Sequence, residues 1–147
     1  MASDLDKQYQ TLIVLWFALL MNIGVFFVVS VFIAPATANE SGEHPSSLLI
    51  ITLTALGTFL VIGSFAMKQK LLRRSVETQN TALVQKALVV ACAMCEFSAL
   101  LGLLERFIVR NRAYYLLFLL AAVGTALHFP RRSQLESASY KNPGELG

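Results

Sequence analysis

Charge is what this sequence of 147 residues has least of: Asp, Glu, Lys and Arg together make 14% of it, against about 25% in an ordinary soluble domain. With 56% apolar residues as well, the chain cannot cover a water-facing surface, which excludes a soluble globular domain. Cysteine and histidine occur twice each. Two cysteines exclude a disulfide framework, and His44 in an expected loop with His128 near a helix end offer no ligand set at one depth. No metal, haem or other cofactor is therefore expected. G-x-S-x-G, P-loop and G-x-G-x-x-G patterns are missing, so no catalytic site is assigned and an enzyme is unsupported. No internal repeat relates the two halves.

What the sequence has instead is four long apolar blocks, at about 11–33, 47–67, 82–104 and 113–129, none of which contains proline. Each approaches the roughly 20 residues that cross a hydrocarbon core about 30 Å thick. Barrel strands would need segments of about ten alternating residues, whereas these blocks are longer and do not alternate. The expected fold class is an all-α membrane protein, a four-helix transmembrane bundle over 1–132, followed by a flexible tail over 133–147. Pro35, Pro45 and Pro130 punctuate the block ends. Tyr114 and Tyr115 fall where an interfacial aromatic belt would lie, while Trp16 lies deeper, facing lipid or a neighbouring helix. Reading the first block as a cleaved signal peptide ending at Ala34-Pro35-Ala36 conflicts with the acidic Asp4 and Asp6 before it and with its length. The sequon Asn39-Glu40-Ser41 lies too near a span to carry weight.

Basic residues set the expected orientation. The first loop, 34–46, has none; the second carries Lys68, Lys70, Arg73 and Arg74, with Lys86 just beyond, and the tail adds Arg131, Arg132 and Lys141. Short basic loops stay cytoplasmic, so both termini and the second loop are expected on that side. The third loop, with Arg106, Arg110 and Arg112, breaks the pattern. The net charge of +3 thus reads as topology and attraction to anionic lipid heads, not as a nucleic-acid surface.

At membrane depth the outlying residue is Glu96, near the middle of the third block. An ionised side chain there costs roughly 2.5–3.5 kcal/mol on insertion scales, so a lipid-facing position is disfavoured. Block midpoints place Asn22 in the first helix and Gly57 and Thr58 in the second at similar depth, with Gly124 and Thr125 just past the centre of the fourth. Asn22, Thr58 and Glu96 form the ion-binding candidate: the amide donates to the carboxyl and a threonine hydroxyl is its second partner. The same carboxyl serves equally as neutral, hydrogen-bonded glue between helices. Ala91, Cys95, Ser98 and Gly102, at spacings of four, three and four, place small residues along one face, a seam suited to close helix packing. Lys86 stands ten residues before Glu96, about 15 Å away along the axis, too far for an ion pair.

Glu96, followed by Ala99-Leu100 and Gly102-Leu103-Leu104 after a basic loop, resembles the carboxylate-bearing helix of the rotary ATP synthase c subunit. The resemblance covers about one helix in four. It implies that Glu96 matches the family's ion-carrying carboxylate and that the loop with Arg73 and Arg74 matches its polar hairpin. The preceding helix has only Gly57 and Gly63 where that family has a dense glycine repeat, and the Arg-Gln-Pro loop motif is missing. Cys92-Ala93-Met94-Cys95 has the C-x-x-C spacing of thiol redox and metal sites. It resembles the disulfide-forming quinone reductases in that respect, but the second cysteine pair of such a relay is missing. Small residues packed in a helix seam are the favoured reading of both cysteines.

Two functions are expected from this. One is a structural or accessory subunit of a larger membrane assembly; the other is a proton- or cation-handling protein using Glu96. The expected partners are the lipid bilayer and other membrane subunits or further copies of the chain, with no nucleic acid, and the location is an unspecified membrane.

Overall fold

The computed structural model describes residues 2–33, 47–109 and 113–139, and these are helical nearly throughout, with no strand among them. Helix α1 runs Ala2–Phe32, α2 Ser47–Glu77, α3 Thr81–Leu104, α4 Tyr115–Leu127 and α5 Arg132–Ser139. A π-helical turn, Glu105–Val109, extends α3. By length and apolar composition three segments can cross a membrane: Leu5–Phe32, Ser47–Glu77 and Thr81–Ile108. Helix α4 has 13 residues and spans only about 20 Å.

Helices α1 and α2 outrun their apolar blocks because a helix need not stop where its apolar stretch does. Past Met67, α2 continues for ten charged or mixed residues, with Arg73 Nε 3.2 Å from Glu77 Oε1 one turn on. It ends in a tight corner. Gln79 adopts φ 50°, the left-handed conformation of a helix terminus, and Asn80 N–H donates to Ser75 O at 3.0 Å across it. Asn80 then caps α3, its side chain accepting from the Ala82 amide at 3.0 Å. Three residues thus turn α2 into α3.

One expectation is corrected here. Of the residues 133–147, read from their polarity as flexible tail, 133–139 belong to α5, with Leu135 and Ala138 buried. The amphipathic signal is short, two apolar side chains among polar ones, and it becomes a helix because a prepared surface receives it. That surface is the inner core of Leu12, Val84, Leu88 and Cys92, on α1 and α3. The loop 34–46, with His44 and the Asn39 sequon, as well as Arg110, Arg112 and the tail beyond Ser139, lie outside the described residues.

Helix α3 is the axis of the molecule. It packs against α1, α2, α4 and α5, and α1 and α2 each lean on α3 and α4 rather than on each other. A second core, Ile23, Ala99, Phe118 and Ala121, joins α1, α3 and α4. Large apolar side chains such as Phe17, Phe32, Phe59 and Ile62 point outward, as a lipid-facing surface requires.

Candidate functional site

The small seam of α3 is what allows polar groups to meet in this interior. Ala91, Cys95, Ser98 and Gly102 are all buried. They face α2 and α4: a Cβ placed on Gly124 would come within 3.0 Å of Cys95 Sγ, one on Gly57 within 3.0 Å of Ser98 Oγ, and one on Gly102 within 3.1 Å of Leu117 Cβ. The seam therefore serves packing inside the chain.

Glu96 lies one residue round the helix from this seam, about 100° from Cys95, and is half-buried. Asn22 Nδ2 on α1 donates to Glu96 Oε2 at 3.1 Å. The threonine expected beside them is elsewhere: Thr58 Oγ1 donates to Thr54 O, 2.8 Å away in its own helix. A threonine in a helix readily turns its hydroxyl onto the carbonyl four residues back, which removes it from interhelical service. Glu96 Oε1 is buried and has no hydrogen-bond partner among the described residues. The candidate is thus a pair, Asn22 and Glu96, with one carboxyl oxygen held and the other buried without a partner among the described residues.

Two further polar nodes lie at other depths. Toward the end of the bundle that carries α5, Ser64 Oγ of α2 lies 2.7 Å from His128 Nε2 and 3.6 Å from Cys95 Sγ. The hydroxyl also donates to Val61 O at 2.6 Å. A hydroxyl carries one hydrogen, so with that hydrogen on Val61 the imidazole donates from Nε2 and the serine accepts. Lys68 Nζ donates to His128 O at 2.9 Å, placing a cation at the carbonyl end of α4. Trp16 Nε1 donates to Thr125 O at 2.8 Å, and its ring meets Phe129 edge-on at 5.0 Å. Trp16 is therefore an interhelical anchor. At the opposite end, Thr54 Oγ1 donates to Glu105 Oε1 at 2.8 Å where the π turn begins.

Ser64, Lys68 and His128 were not singled out as a group by sequence reading, and each had a bland explanation there. Lys68 follows directly on an apolar block and His128 closes another, so both count as flanking residues until the fold brings them together. The signal that could have found them is the run of Ser64 and Lys68 one turn apart, a polar stripe entering α2's apolar stretch from its charged end. Cys92 and Cys95 are free and buried, Cys92 in the inner core and Cys95 beside Ser64. Among the described residues no group of three or more His, Cys, Asp or Glu side chains converges as a metal site would require.

Fold and site together define a helical protein with three helices able to cross a membrane and a carboxyl-amide pair between two of them. Comparison with protein families, with curated proteins and with solved structures returned no match.

Proposed function

We propose that this chain is a structural or accessory subunit of a larger membrane assembly, and that Glu96 is where the assembly completes it. The observation that carries the reading is the open oxygen. In lipid a buried polar atom must find a partner, and Glu96 Oε1 has none among the described residues of its own chain. The Glu96 side chain is itself only partly buried, so a small shift on assembly brings this oxygen to a donor from a neighbouring subunit at mid-membrane depth. Helix α4 is the fourth crossing in this reading, short and flanked by Tyr114 and Phe129, with both termini on the cytoplasmic side as the lysines and arginines direct.

A second reading draws on the polar nodes on either side of Glu96. Thr54 with Glu105, and Ser64 with His128 and Lys68, add hydrogen-bonding groups toward both ends of the bundle. In that reading the oxygen left open by Asn22 takes a proton or cation.

Glu96→Gln and Glu96→Leu separate the two. The glutamine keeps a hydrogen-bonding group at the open position; the leucine removes it. For a subunit, wild type and Glu96→Gln migrate in a larger complex after mild detergent extraction and Glu96→Leu falls out of it. If all three run as the free chain, the subunit reading is wrong. For ion handling, infrared difference spectra of reconstituted protein between pH 5 and 9 show a titrating carboxyl band that Glu96→Gln abolishes. A band that never changes removes that reading.

A further inference from the structure

At the end of the bundle that carries Glu105, α1 and α4 part to leave a groove of about 390 Å³, lined by Ile23, Gly24 and Phe27 on one side and Tyr115, Phe118 and Ala122 on the other. Its walls are apolar apart from the Tyr115 phenol. Gly24 makes it open: a Cβ there would meet nothing within 4 Å. Aromatic rings firm its sides, with Phe27 and Phe118 edge to face at 5.6 Å.

A cation stands one ring removed from the groove's Tyr115 and Phe118. The Arg106 guanidinium lies 5.1 Å from the centre of the Tyr114 ring, and Tyr114 in turn meets both Tyr115 and Phe118 at 6.2 Å. Arg106 as a whole is partly exposed, although its Nε is buried. Arg106 is also the first of three arginines that the sequence sets between residues 106 and 112, at the end where the remaining basic residues would place the non-cytoplasmic side. Topology offers no reason for them there. A phosphate does.

We propose that the α1–α4 groove binds an acyl chain of an anionic phospholipid whose phosphate pairs with Arg106. Apolar walls of this size fit a hydrocarbon chain, and a partly exposed guanidinium such as that of Arg106 is a preferred partner of a phosphate. A helix from a second copy fits less well. A two-fold contact through this groove brings the Arg106 side chains of the two copies toward each other, and like charges at one interface oppose it.

The test is selective lipid retention. Wild-type protein in nanodiscs of equimolar phosphatidylglycerol and phosphatidylcholine is extracted in mild detergent and its bound lipid counted by native mass spectrometry. Retention favours phosphatidylglycerol by about fivefold, the effect of one basic residue near an anionic head. Arg106→Gln brings the ratio to parity, while Arg106→Lys keeps most of the preference and shows that charge, not misfolding, is responsible. Gly24→Leu fills the groove and abolishes retention of both lipids with the helical circular dichroism and melting midpoint unchanged. An equal ratio in wild type, or retention unaffected by Arg106→Gln and Gly24→Leu, overturns the proposal. So does a wild-type dimer that Gly24→Leu converts to monomer, since the groove then holds a second copy.

Discussion

Asn22 donates the one hydrogen bond that the Glu96 carboxyl makes among the described residues, so its removal leaves that carboxyl without a partner among them. Interhelical hydrogen bonds of this kind contribute about 0.5–2 kcal/mol in membrane proteins. Asn22→Leu is expected to lower stability by that amount in mixed-micelle unfolding and to move the carboxyl stretch toward that of a free acid. An unchanged spectrum would show that the amide does not hold the carboxyl. Ser64→Ala removes the acceptor of the His128 ring, and the nitrogen shifts of a labelled imidazole are expected to report loss of the Nε2–H tautomer's bond. The Asn22–Glu96 contact is legible in the sequence because both residues lie near the centres of long apolar blocks, where depth can be counted. The Ser64, Lys68 and His128 node is not, because residues at block ends can face water or bundle alike, and only the folded chain decides which.

Elements differ in how tightly their small residues are held, and glycine substitutions separate the cases. A Cβ on Gly124 would lie 2.8 Å from Val61 Cγ1 and 3.0 Å from Cys95 Sγ, so Gly124→Ala is expected to destabilise by about 1–3 kcal/mol. Gly24→Ala meets nothing and gains helix propensity, so it is expected to leave stability unchanged or raise it by up to about 1 kcal/mol. Thermal melts of the two variants side by side check both; equal behaviour would contradict the packing of α4 on α3 and α2. At the α2–α3 corner, Gln79→Gly relieves a side chain in the left-handed conformation and is expected to raise the melting midpoint by an amount matching about 0.5–1 kcal/mol. A lower midpoint would mean that the Gln79 side-chain bond to Val76 O outweighs that relief. Existence and type of α1, α2 and α3 are plain from their apolar blocks. Their ends are not, since the polar continuation of α2 carries no hydrophobic signal, and α5 rests on tertiary contact with Leu12, Val84 and Leu88.

For the molecule as a whole, α5 joins parts that the sequence separates. It packs on α1, α2 and α3, and Arg132 Nη2 reaches Asp6 Oδ1 at 3.0 Å, a largely exposed pair that adds little by itself. Burial of Leu135 does more, and Leu135→Asp is expected to free α5 from the inner core and to speed proteolysis at the corner after Pro130. Cleavage as slow as in wild type would show that α5 does not depend on that contact. Three helices long and apolar enough to cross a membrane are legible from composition and from the apolar blocks. The arrangement around α3 is not legible, because every block is apolar all round and periodicity cannot say which face turns inward.

The carbonyl end of α4 is closed by side chains from other helices, the Trp16 indole on Thr125 O and the Lys68 ammonium on His128 O. A helix finished in that way has no need to reach water. At about 20 Å, with the hydrocarbon core near 30 Å, α4 gives one flank of the protein a shorter hydrophobic height than the flanks of α1 and α2. With α4 as the fourth crossing proposed above, the bilayer would meet a lopsided inclusion, lipids beside α4 drawn thin while those beside the long helices are not. Such mismatch sorts proteins by membrane thickness, so on that proposal the chain would favour a thin bilayer, and lengthening the acyl chains around it would strain the α4 flank first.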